Sequence, residues 1–155
     1  MIIRKMLPEE LDSTVLLCKR YFDEAADSVP EMAEEWDENS VIQTVRQFSI
    51  DYNYFWFNAY EGQRPVGFIA GFATPTLWNN QRIDAHIALI YLLDSHRSMG
   101  NFKQLTDRAE EWARLIGAKE LTAGDIGINP ERTERLYEHL GYAKGVWMGK
   151  ELAYE

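Results

Sequence analysis

A chain of 155 residues is long enough to bury roughly two-thirds of its unfolded surface and too short for two ordinary domains, so one domain over 1–155 is expected. Apolar residues at 46% and aromatics at 13% exclude a disordered chain. A net charge of −9 excludes a general nucleic-acid binder, which needs clustered Lys and Arg, and suits a neutral or cationic partner.

Residues 1–7 read as a short strand stopped by Pro8, after which Glu9 and Glu10 open a helix with Leu11, Val15, Cys18 and Phe22 near helical spacing. Cys18 is the single cysteine, which excludes an internal disulfide and fits a reducing compartment. Beside Val15, Leu16 and Leu17 it reads as core, since a nucleophile needs a paired base that its neighbours lack. Residues 23–39 are polar, carry Pro30 and predict a loop. Its acidic run, from Asp23 and Glu24 to Asp37 and Glu38, reads as a solvated face, with attraction of an amine as the functional alternative. A second helix starts at Asn39 or Ser40, with Val41, Val45 and Phe48 on one face.

Residues 53–60 are aromatic and strand-like, 61–65 form a hairpin turn, and 66–74 resume as a strand antiparallel to the first. A second turn over 75–81 leads to a long strand, 82–93. The next helix shows Phe102, Leu105, Ala109, Trp112, Ala113 and Ile116 at a 3.6-residue period and ends at Gly117. A strand over 119–122, a segment 123–128 with two glycines, a short helix and a final strand over 142–152 complete the chain. The aromatics Trp56, Phe57, Phe72, Trp78 and Trp147 read as core. His86, His96 and His139 are scattered and no close Cys/His pair exists, so no metal site is expected. No segment reaches the roughly 20 apolar residues of a membrane span and the start lacks a signal peptide's apolar core, so no membrane association and a cytoplasmic location are expected.

Two places carry chemistry. The first is the passage from the long strand through Asp94-Ser95-His96-Arg97-Ser98-Met99-Gly100-Asn101 into a helix. A helix start presents unpaired N–H groups and the positive end of the dipole, and Gly100 lets an anion approach the backbone, so residues 97–102 form a candidate pyrophosphate cradle with Arg97 and Lys103 nearby. The second is the short helix over 129–141, where Asn129 suits the N-cap, Pro130 the first turn and Gly141 the stop.

The order strand, Arg-x-x-Gly turn, long helix, strand, Leu136-Tyr137-x-x-x-Gly141-Tyr142 helix, strand resembles the GNAT superfamily of N-acetyltransferases. The resemblance implies an α/β (α+β) fold with a mixed, mainly antiparallel sheet of six to seven strands and about four helices on both faces. It implies acetyl-CoA, or another acyl-CoA, as co-substrate, contacted by Leu92, Leu93, Arg97, Ser98, Met99, Gly100, Asn101, Phe102 and Asn129. Phe102 stands where the family usually has Gly or Ala, and Asn129 lies one residue further from Tyr137 than the usual asparagine, so it reads first as a cap.

The implied activity is direct transfer of an acyl group to an amine of a small molecule or protein. Tyr137 matches the family tyrosine beside the thiol and is the candidate proton donor to the leaving thiolate, with packing in the core as its other reading. His86 falls where many members carry a strand glutamate, so it is read either as base or water relay, or as a satisfied core histidine; Asp84 and Tyr91 are reserves. The resemblance places the helix pair and its loop near the acceptor, and Trp78 in its Asn-rich turn has lining of the acceptor pocket as its other reading. A homodimer is left open. Phe102 and the missing glutamate keep a second function in view, a GNAT-like binding or structural protein without catalysis; an acyl-CoA sensor is a third.

Overall fold

Residues 55–60 are buried on both faces of their strand, which requires helices on both sides of the sheet. In the computed structural model, which describes residues 1–124, 128–145 and 148–153, those helices are present. Strands β1 (Ile2–Arg4), β2 (Tyr54–Glu61), β3 (Arg64–Thr76), β4 (Asn79–Leu92) and β5 (Leu121–Ala123) lie side by side in chain order. The first four are antiparallel and β5 runs parallel to β4.

One face of β2 is covered by α3 (Met99–Leu115): Phe55 meets Trp112 at 4.6 Å between ring centroids, and the Arg108 guanidinium lies 4.3 Å over the Phe57 ring. The other face meets α1 (Leu11–Ser28) and α2 (Glu38–Ile50), with Trp56 against Phe48 and Asn58 against Thr14. A buried amide is costly unless its bonds are made, and those of Asn58 are. The Trp56 indole N–H donates to its Oδ1 at 2.9 Å, while its Nδ2 donates to Thr14 Oγ1 at 2.7 Å and the Tyr60 hydroxyl at 3.1 Å. Tyr60 in turn donates to Glu10 Oε2 at 2.5 Å, and Arg4 grips Glu10 with two nitrogens at 2.7 and 3.0 Å. The Arg4 guanidinium holds the Glu10 carboxyl well below its ordinary range, at about 2. Burial pushes the Tyr60 phenol up to about 12.

Several boundaries differ from the sequence expectations. Helix α1 continues to Ser28 through the start of the expected loop, because Ala25 is fully buried and the segment 23–28 contains helix-forming alanines; a 3-10 turn at Pro30–Glu34 follows. Strands β3 and β4 extend through the expected 75–81 turn until Thr76 pairs with Asn79. That leaves Leu77 and Trp78 at the hairpin tip, 98% and 82% exposed, so Trp78 is not core. Trp56 and Phe57 are core and Phe72 is half-buried, while Trp147 lies outside the described residues.

The expected final strand over 142–152 is corrected: its described residues, 142–145 and 148–152, form no strand. Among the described residues the sheet therefore has five strands rather than six or seven. The Tyr142 N–H bonds to the Tyr137 carbonyl at 3.1 Å and its hydroxyl to Glu110 at 3.1 Å, which ties the start of this segment to helices instead of to β5. Gly145 and Gly149 also weaken any strand there.

Candidate functional site

The site begins with an irregularity in β4. Ala70 pairs with Leu89 while Gly71 pairs with Ile87, so Ala88 is a one-residue bulge. Gly71 is required opposite it, since a Cβ there would come within 2.0 Å of the His86 carbonyl oxygen. Among the described residues the β4–β5 ladder spans three residue pairs and ends at Ile87 with Ala123, level with the bulge. Beyond it β4 continues to Leu92, flanking a groove of about 190 Å³ between this strand end, the start of α3 and helix α4 (Pro130–His139).

Leu92, Arg97, Ser98, Phe102 and Asn129, all candidates from the sequence, line this groove together. Leu93 does not: it is buried in the core, and its N–H donates to the Val66 carbonyl at 2.8 Å. Ser98 caps α3, its Oγ accepting from the Asn101 N–H at 3.1 Å, which leaves the N–H groups of Met99 and Gly100 in the first turn, where a helix supplies no partner of its own. A Cβ built on Gly100 meets nothing within 4 Å, so the space beside it is open. The Asn101 side chain is engaged elsewhere, donating to the His96 carbonyl at 2.8 Å.

The cations divide differently from the sequence expectation. Lys103 pairs with Asp107 at 2.5 Å, one turn along its own helix. Arg97 is held three ways: Nε donates to the Leu92 carbonyl at 2.9 Å, Nη2 meets Glu24 at 2.5 Å and Nη1 meets Asp94 at 3.4 Å. Arg132, which the sequence reading passed over, lines the groove from α4 and has no carboxylate in ion-pair range among the described residues. The missed signal was electrostatic: a cation in the first turn of a helix opposes its dipole and needs another reason to be there. Asn129 caps α4 as expected, accepting from the Arg132 N–H at 3.1 Å, and also lines the groove.

Tyr137 is buried on α4, its ring edge-on to Phe102 and to Tyr142, each at 5.0 Å. It borders a second cavity of about 740 Å³, shared with Thr122 and Ala123 where β5 leaves β4. Phe102 thus lines the groove and also touches the Tyr137 ring. His86 is half-buried on β4, against Phe72 at 5.3 Å, with Nδ1 2.6 Å from Thr122 Oγ1. Burial lowers its pKa, which favours the neutral imidazole at pH 7. The reserve Asp84 pairs with Arg82 at 3.0 Å, and the reserve Tyr91 donates to Glu24 at 2.5 Å. Cys18 is buried in the core, and burial pushes its thiol up to about 12.

A mixed sheet, five-stranded among the described residues, that opens at a bulge onto a capped helix start matches the GNAT acetyltransferase fold. The model of the Acetyltransferase (GNAT) family matches residues 18–142, and the chain belongs to that family. Solved structures agree at the level of fold. One is a ribosomal-protein-alanine N-acetyltransferase from Brucella melitensis biovar Abortus 2308, 17% identical, covering 99% of this chain and 100% of that one with a TM-score of 0.72. Another is an aminoglycoside acetyltransferase from an uncultured soil metagenomic sample, 19% identical, with 99% and 98% covered and a TM-score of 0.75. A third is an aminoglycoside N-acetyltransferase in complex with CoA, 16% identical, with 99% and 93% covered and a TM-score of 0.73. A comparison with curated protein sequences finds no match. Among the described residues no helix is long and apolar enough to cross a membrane.

Proposed function

We propose that this single domain, 1–155, moves an acetyl or larger acyl group from acyl-CoA to an amine by direct transfer. The observation that carries this reading is the groove at the end of β4, where the capped start of α3 faces Arg132, which has no carboxylate in ion-pair range among the described residues; with the open space beside Gly100 at the same helix start, this suits a phosphate-bearing ligand. In this reading the pyrophosphate lies at 97–102, and Asn129 and Leu92 touch the coenzyme further along.

The amine nitrogen attacks the thioester carbonyl, the carbon–sulfur bond breaks, and coenzyme A leaves as the thiol. His86 takes the amine proton through water. Its support is a depressed pKa, which leaves an imidazole nitrogen able to accept, and its bond to Thr122, which lines the cavity that Tyr137 also borders. Tyr137 gives its proton to the thiolate, supported by its place on α4 opposite the end of the β4–β5 ladder. The acceptor is a neutral or cationic small molecule or protein amine, in keeping with the net charge of −9. A cytoplasmic enzyme fits this reading. A homodimer is compatible with it, and light scattering in solution tests that.

The clasp of Tyr137 between Phe102 and Tyr142 favours one second reading, binding of acyl-CoA without turnover. Calorimetric titration with acetyl-CoA tests the binding step. Release of coenzyme A thiol across a panel of amines then separates enzyme from sensor, and binding without release with any amine supports the second reading.

A further inference from the structure

We infer that Glu24 is a positioning residue for the phosphate cradle, acting through Arg97, an inference that rests on the acyl-CoA reading above. Glu24 belongs to the penultimate turn of α1, yet one of its oxygens is spent on the end of β4 and the other on the turn that follows it. Oε1 accepts from the Tyr91 hydroxyl at 2.5 Å and Oε2 from Arg97 Nη2 at 2.5 Å. Arg97 passes the constraint on, because its Nε–H donates to the carbonyl of Leu92, the last residue of β4, at 2.9 Å. The guanidinium also lies 5.6 Å over the Tyr91 ring. One carboxylate thus fixes both the strand end and the turn that delivers Ser98 to its capping position.

The pair is only partly open to water, with side chains 23% exposed for Arg97 and 35% for Glu24, so a charge-assisted bond keeps more of its strength than on an open surface. Its charge is also balanced. Arg97 accordingly holds the turn, while attraction for phosphate comes from the first N–H groups of α3 and from Arg132 on the opposite wall. This assigns the arginine at the head of the loop a role other than phosphate ligand, and it makes α1 part of the coenzyme site.

The experiment is calorimetric titration of the full chain with coenzyme A, for wild type, Glu24→Gln, Arg97→Met, the double variant and Arg132→Met, repeated across a range of ionic strength. A positioning pair predicts about a 5- to 10-fold loss of affinity in Glu24→Gln and in Arg97→Met, and a double variant no worse than the weaker single. The dependence on salt stays as in wild type for Glu24→Gln and Arg97→Met, whereas Arg132→Met flattens it, since only that change removes a charge facing phosphate. Tighter binding in Glu24→Gln, or a flattened salt dependence in Arg97→Met, overturns the inference by showing that a liberated Arg97 binds phosphate itself. Unchanged affinity in Glu24→Gln overturns it too. If Glu24→Gln melts well below wild type, Glu24→Asp replaces it; that variant keeps the charge but is too short to reach both partners, so it predicts a smaller loss of the same sign, and wild-type affinity in it counts against the inference. Failure of the wild type to bind coenzyme A instead overturns the functional reading.

Discussion

The rings of Phe102 and Tyr137 meet edge-on with 5.0 Å between centroids, one from the first turns of α3 and the other from α4. Phe102 is only 6% exposed and belongs to the main core, so a residue that departs from the family's small loop position works here as the wedge between two helices. Phe102→Ala is expected to destabilise the protein by about 3–5 kcal/mol, the usual cost of removing a buried phenyl ring. Urea denaturation monitored by circular dichroism measures this, and stability within about 1 kcal/mol of wild type would show that the ring is not core.

Gly100→Asp should separate folding from binding. A carboxylate in the first turn of α3 improves the helix by about 0.3–1 kcal/mol, and the open space at Gly100 admits it without a clash. Under the proposed reading the same charge faces the phosphates of acetyl-CoA and should remove binding. Thermal melting with and without acetyl-CoA reads both effects; a variant that keeps the wild-type ligand shift places the cradle elsewhere.

Tyr137→Phe removes only a hydroxyl and keeps the ring contacts with Phe102 and Tyr142. Under the proposed mechanism it lowers kcat by roughly a hundredfold, with little change in acetyl-CoA affinity, because a proton donor to the thiolate acts only as the carbon–sulfur bond breaks. Steady-state thiol release with an accepted amine supplies the number. An unaltered kcat would leave Tyr137 as a packing residue.

The Glu10 network predicts a pH dependence of stability. The Arg4 guanidinium, followed by the Tyr60 hydroxyl and the Leu7 N–H, draws the Glu10 carboxyl down from 4.5 to about 2 on folding. A lowered native pKa means that its contribution is complete above about 4.5 and is lost as pH falls toward 2. Glu10→Gln should therefore cost about 1–2 kcal/mol at pH 7 and have little effect at pH 2. Denaturation midpoints of both proteins across that interval check the sign; parallel curves would contradict it.

Much of this molecule was legible from local patterns. The aromatic run at 54–60, the Gly62 turn and the 3.6-residue stripe from Phe102 to Ile116 each report on one element, because periodicity and turn chemistry act over a few residues. The caps Ser98 and Asn129 lie where strand, turn and helix meet in the sequence, so the groove's two helix starts could be anticipated.

What only the tertiary structure decided depends on partners distant along the chain. Nothing near Arg97 announces that Glu24, 73 positions earlier, occupies its guanidinium, and nothing near Phe102 announces Tyr137. The Ala88 bulge is likewise set by how β4 registers on β3, where it lies opposite Gly71. Periodicity specifies which side of an element is apolar; which charges pair across elements is decided when the chain is packed, because ion pairing depends on distance in space and has no period in sequence.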